Sequence, residues 1–244
     1  MAPPEPKHQA DAVRTTPQGS PLVGRPIHQE IPYGSAWNAV RRLADQSGLV
    51  FLDSAMSHQE VGRYSFVAAD PVATISSLDG LRDAMARFPL QHVEGLPPFQ
   101  GGAAGYLSYE AARSCEPRLG EHTPPSRIPA VDFRIYDRIV AFDHLEERAF
   151  AVSTGYPERD QTARVAWAAH RLEELLRQLG GIAAPRSGHR LIRDWQSSFS
   201  RSEYEAAVRR TVEYILDGDI FQANITQRFS APVPDGFDPL RFYE

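Results

Sequence analysis

The residues with the clearest chemical pattern lie near the C-terminus, in Asp217-Gly218-Asp219-Ile220-Phe221-Gln222-Ala223-Asn224-Ile225-Thr226-Gln227-Arg228-Phe229. From Phe221 the pattern has a period of two. Phe221, Ala223, Ile225 and Phe229 would face one side of a strand, and Gln222, Asn224, Thr226 and Arg228 the other. Two amides, a hydroxyl and a guanidinium in one row can hydrogen-bond a polar, anionic group. The same row also fits the solvated face of an edge strand, and spacing alone does not separate the two readings. Other chemistry-bearing residues are sparse. Cys115 has Arg113 nearby to favour a thiolate but no candidate base close in sequence, and it reads as a bystander. His144 lies in a turn with no partner at metal-ligand spacing and reads as solvated. Asp217 and Asp219 come closest to a magnesium pair but flank a helix end, where turn residues are usual. The only lysine is Lys7, so amine nucleophiles and Schiff bases have no well-placed donor.

A helix must deliver the C-terminal stretch. Ser200 and Glu203 have capping-box spacing, Tyr204, Val208, Val212 and Ile215 recur as one apolar stripe, and Gly218 supplies the left-handed exit. Upstream, the spacing predicts a helix over 35–46 with Trp37, Val40, Leu43 and Ala44 on one face, then a strand at 49–52. A polar connection over 53–62 leads to a second strand at 63–68, which fits a hairpin, and 72–75 reads as another strand. A short helix is predicted over 79–88. The segment Phe99-Gln100-Gly101-Gly102-Ala103-Ala104-Gly105-Tyr106 reads as a strand whose glycines permit close backbone approach; it has neither the dinucleotide spacing nor the surrounding βαβ unit of a phosphate cradle. Strands are predicted at 131–142 and 148–153, and a long helix over 160–179 with Val165, Ala169, Leu172, Leu176 and Leu179 as its stripe. The expected fold class is α+β, with antiparallel sheets and flanking helices.

Residues 1–29 are proline-rich and read as a disordered tail, 30–180 as one domain, 181–199 as a linker, and 200–244 as the incomplete start of a second domain. The 244-residue chain carries a net charge of −5, which offers no basic field for nucleic acid. No run approaches the ~18 apolar residues of a membrane span, and the N-terminus has no secretory h-region. A single cysteine excludes an intrachain disulfide. The chain reads as cytoplasmic.

The C-terminal string, with Asp194-Trp195-Gln196-Ser197 before it, resembles the segment opening the chorismate-binding domain of aminodeoxychorismate synthase component I, in the anthranilate synthase component I family. Asn224 stands where anthranilate synthases tend to have valine, which favours the aminodeoxychorismate branch. Two further strings, Phe-x-Gly-Gly-x-x-Gly-Tyr from Phe99 and Gly-Arg-Tyr-Ser-Phe from Gly62, resemble the family's N-terminal domain in the right order. The resemblance implies conversion of chorismate and ammonia, delivered by a glutamine amidotransferase partner, to 4-amino-4-deoxychorismate for folate and para-aminobenzoate synthesis. It implies a tryptophan pocket formed by Ser54, Val61, Gly62, Arg63 and Tyr64. In anthranilate synthases glutamate usually precedes the serine; here it is the shorter Asp53. A hydroxyl and strand amides suit an α-amino acid's polar end, with apolar neighbours for the indole. Family members run to roughly twice this length. Their second half carries the magnesium-binding glutamates and the attacking lysine, so no catalytic or metal-ligating residue is expected among these 244 and only a weak response to tryptophan. The other readings are anthranilate synthase component I, or a non-catalytic fragment that binds tryptophan or the glutaminase.

Overall fold

A computed structural model describes residues 24–54, 56, 61–112, 116, 128–183 and 192–244. The chain divides into two compact units, Met1–Ala184 and Pro185–Glu244. In the first, strands β1 (Ile27–Ile31), β2 (Val50–Leu52), β3 (Tyr64–Ala68), β7 (Arg138–Asp143) and β8 (Arg148–Ser153) form an antiparallel sheet in the order β1-β8-β7-β3-β2. Strands β4 (Ala73–Ile75), β5 (Gly102–Leu107) and β6 (Val131–Tyr136) form a second antiparallel sheet in the order β4-β6-β5. Helix α1 (Ala36–Leu43) packs on β3, and α2 (Leu78–Arg87) on β5 and β6; α3 (Gln161–Gly180) packs on α1, β1, β7 and β8. The fold class is the α+β arrangement expected.

The core lies under the central strands. β7 is buried along its whole length, and Val40, Val67, Ile139 and Val140 have no exposed surface. Each such aliphatic side chain contributes about 1.5–3 kcal/mol of burial. Ala68, Ala104, Tyr136, Ile139 and Ala141 form a further buried cluster, which Val50, Phe66 and Phe99 flank. Tyr136 satisfies its hydroxyl on the Gly48 carbonyl at 2.6 Å.

Three sequence expectations change here. The tail expected over 1–29 ends earlier, because Ile27–Ile31 pairs residue for residue with Ser153–Ala149. The single strand expected at 131–142 is two strands in two sheets. At Asp137 the run exchanges partners, β6 pairing with β4 and β5, β7 with β3 and β8. The apolar stripe of α3 is also displaced. Its buried residues are Arg164, Ala168, Arg171, Leu172 and Leu175, whereas Val165 is 48% exposed. Two arginines occupy the buried face because acceptors await them. Arg164 donates to the Glu158 carbonyl, and Arg171 donates to the fully buried Asp137 at 2.9 Å and to Asp70 at 3.2 Å.

In the second unit, α4 (Arg201–Leu216) begins with a complete capping box between Ser200 and Glu203, and Gly218 adopts φ +82 beyond its end. A two-residue ladder joins β9 (Gln196–Ser197) to β10 (Phe229–Ser230), and α5 (Pro239–Tyr243) follows. The strand expected over 221–229 is absent apart from Phe229. A strand needs a neighbour for its backbone groups, and the ladder here ends after two pairs. None of α4 is buried, and Val208, Val212 and Ile215 of its expected core stripe are exposed.

Candidate functional site: a polar cluster where β2, β3 and β7 meet

The β2–β3 register places Leu52 opposite Phe66, so the chain leaving β2 runs beside the first residues of β3. Ser54 is fastened there from both its backbone and its side chain. Its hydroxyl donates to the Tyr64 carbonyl at 2.5 Å, and its amide donates to Ser65 Oγ at 3.1 Å. Before β3 the chain turns through Gly62 at φ +84, where an added Cβ would lie 1.9 Å from the Met56 carbonyl oxygen. Only glycine combines that left-handed conformation with that approach. Ser57, His58, Gln59 and Glu60 of the polar connection lie outside the described residues, as does Cys115.

Five residues were assigned to this site from the sequence, and the structure brings Ser54, Arg63 and Tyr64 together. Val61 is exposed and leads into the Gly62 turn. Arg63 is engaged: its Nε and Nη2 grip the Asp143 carboxylate at 2.6–3.1 Å, with Glu146 3.9 Å away. Its guanidinium also lies 5.0 Å from the centre of the Tyr64 ring. Arg63 therefore anchors β3 to the end of β7, opposite Tyr64 in the ladder.

Sequence reasoning missed Ser65, His144 and Tyr33. The His144 backbone amide donates to the Arg63 carbonyl at 2.8 Å, which brings its ring to β3. Nε2 then lies 2.8 Å from Ser65 Oγ, and Nδ1 lies 3.0 Å from the Tyr33 hydroxyl. Ser65 Oγ donates in turn to Asp53 Oδ1 at 3.3 Å. The one available signal was the Asp143-His144 pair closing an apolar strand, and it cannot be read without the β3–β7 register. The set is no nucleophile triad: Ser65 is fully buried, and Asp53 contacts the serine, while the other imidazole nitrogen meets Tyr33.

Burial alone would raise the Asp143 pKa, but the Arg63 hydrogen bonds and the Glu146 and Leu145 backbone amides outweigh it and hold the carboxyl below its usual value. A depressed folded pKa adds stability above the unfolded value of about 3.9, which disappears as pH falls through the folded pKa. Asp143→Asn should therefore destabilise the first unit most above about pH 5, and the difference from wild type should shrink as pH falls below about 3.9 and through the depressed folded pKa. Urea unfolding at a series of pH values measures this; a pH-independent difference would contradict the ion-pair account.

Elsewhere, β5 pairs fully with β6, so the glycine-rich segment is structural. Asp217 caps α4, and the Asp219 amide bonds the Tyr214 carbonyl, as turn residues do. Gln222, Asn224 and Arg228 are exposed and are not aligned by a strand. Among the described residues no three His, Cys, Asp or Glu side chains gather as a metal site, and no helix is long and apolar enough to cross a membrane.

The family model for chorismate binding enzymes matches residues 48–244. Anthranilate synthase component 1 of Thermus thermophilus is 32% identical over 212 residues, covering 80% of this chain and 45% of that protein. Aminodeoxychorismate synthase component 1 of Bacillus subtilis is 27% identical over 230 residues, covering 84% and 48%. The crystal structure of anthranilate synthase component I from Streptococcus pneumoniae superposes with a TM-score of 0.55 at 26% identity, covering 78% of this chain and 47% of that one. The chain spans about half the length of these relatives. With a family match across most of its residues and an antiparallel α+β fold like that of a solved member, the chain belongs to the chorismate binding enzyme family.

Proposed function

We propose that this chain is the effector-binding part of component I of an aminodeoxychorismate synthase, an enzyme whose catalytic residues lie outside these 244 and which takes chorismate and ammonia from a glutamine amidotransferase partner to 4-amino-4-deoxychorismate. Within it, residues 30–180 bind an amino-acid effector and residues 200–244 open the chorismate-binding domain. The observation that carries the effector role is the cluster around Ser54. A hydroxyl, a carboxylate and strand-edge backbone groups converge beside Tyr64 at one corner of the sheet. Such a corner suits the ammonium and carboxylate of tryptophan, with Ser54, Val61, Gly62, Arg63 and Tyr64 around it. Arg63 acts there through Asp143, holding the strand end in place. Magnesium is part of the expected chemistry of the complete enzyme. The described residues offer no cluster to hold it, so none is assigned to it and no step is derived through it.

Asn224 supports the aminodeoxychorismate branch. Anthranilate synthase component I is the second reading, supported by the higher identity to the Thermus thermophilus protein. Tryptophan titrated to millimolar concentration into the isotope-labelled chain tests the effector role. Small amide shifts confined to Ser54 and Val61–Ser65 are expected, with a weak rise in melting temperature following RT ln(1 + [L]/Kd). Unchanged amides at that corner would overturn it.

A further inference from the structure

The groups around Ser65 favour one direction for its proton. A serine hydroxyl has one proton to donate and two lone pairs to accept with. Three groups surround the fully buried Ser65 Oγ: the Ser54 amide at 3.1 Å, His144 Nε2 at 2.8 Å and Asp53 Oδ1 at 3.3 Å. The amide can only donate, and an ionised carboxylate can only accept. The single Ser65 proton therefore goes to Asp53, since a charge-assisted bond outweighs a neutral one. His144 Nε2 must then carry a proton and donate it to Ser65. Its Nδ1 is left to accept from the Tyr33 hydroxyl, 3.0 Å away. In the reverse arrangement Ser65 would donate to His144, and two oxygen acceptors would face each other across the Asp53 contact.

We infer that His144 is a positioning residue of the amino-acid site: through the relay Tyr33–His144–Ser65–Asp53 it fixes the Ser65 proton on Asp53. With Oδ1 engaged by Ser65 next to Ser54, the carboxylate supplies negative charge for the ammonium group of an α-amino acid. This rests on the effector reading above and names the residue that sets the polarity of the site. The imidazole has the right support for the task. Its backbone amide is tied to the Arg63 carbonyl, its ring lies parallel to that of Phe142, and the adjoining Asp143 is clamped by Arg63.

Ring-nitrogen NMR of the full chain tests the relay without a ligand, with His144 assigned by the signals that His144→Gln removes. The neutral ring is expected as the Nε2–H tautomer, and its nitrogen shifts are expected to move in Asp53→Asn although Asp53 does not touch the ring. An Nδ1–H tautomer, or shifts indifferent to Asp53→Asn, would overturn the relay. Tryptophan affinity supplies the second readout. His144→Leu removes the donor to Ser65 and is expected to weaken binding roughly tenfold, as for a lost charge-linked hydrogen bond. His144→Gln returns an N–H at the Nε2 position and should restore affinity to within about twofold. Equal affinity in His144→Leu and wild type, or failure of glutamine to rescue, would overturn the inference. If wild type binds no tryptophan, the effector reading fails by itself, and the ring spectra still decide the relay.

Discussion

Arg171→Met is expected to cost about 3–5 kcal/mol, the range for stripping a buried charge of its partner. Asp137 has no exposed surface, and Arg171 reaches it from α3 through both Nε and Nη2. Burial opposes the charged form of Arg171, but Asp137 and Asp70 outweigh it and raise its pKa. Methionine fills much of the space and leaves a desolvated carboxylate at the junction of the two sheets. For a chain of this size the loss corresponds to a melting temperature lower by roughly 10 °C. Arg138→Met should be milder. Burial and the like charge of Arg171 already act against the Arg138 guanidinium, and its partners Asp70 and Glu174 retain Arg171 and some solvent. Removing both charges together, Asp137→Asn with Arg171→Met, should recover part of the loss. Urea unfolding of wild type and the three variants tests this, and an Arg171→Met cost below that of Arg138→Met would show that Asp137 is not the dominant debt.

Gly105→Ala is expected to cost about 3 kcal/mol, at the upper end for overpacking. Gly105 stands opposite Phe133 in the β5–β6 ladder. An added Cβ would lie 2.1 Å from the Asp132 carbonyl oxygen and 2.6 Å from Phe133 Cα. Both are backbone atoms of the paired strand, so relief requires the ladder itself to open. Gly180→Ala is the control: nothing lies within 4 Å of its added Cβ, at the end of α3. It should be neutral, or stabilise by up to about 1 kcal/mol through reduced chain entropy. Circular dichroism melts of both variants measure the contrast, and equal melting temperatures would remove the close-approach explanation for the glycine.

These two sites also mark what the sequence discloses and what it hides. The close approach at Gly105 was legible because glycine inside an apolar strand has few other uses. The α4 cap was legible because a capping box is local. The face of α3 was not, since its burial of Arg164 and Arg171 depends on acceptors that are remote in sequence. Asp137 shows the same limit: nothing in the continuous strand-like run 131–142 says that it changes sheets there. At the candidate site, Ser54, Arg63 and Tyr64 were assigned through two short segments that resemble the family's, a strand end at Ser54 and Gly62–Phe66. His144 lies 79 residues beyond Ser65 and is brought to it by the β3–β7 register. Alternation over 221–229 misled for the converse reason, because period two describes a strand only where a partner strand exists.

The most direct test of the whole account is chorismate turnover by the purified chain with magnesium and ammonium, the products separated by chromatography. The account predicts no product, because its residues are assigned to effector binding and positioning, its one lysine is Lys7, and no acidic cluster is found among its described residues. Formation of 4-amino-4-deoxychorismate would mean that the chain performs ring chemistry with residues assigned here to none. Formation of anthranilate would contradict that assignment and the branch inferred from Asn224 as well.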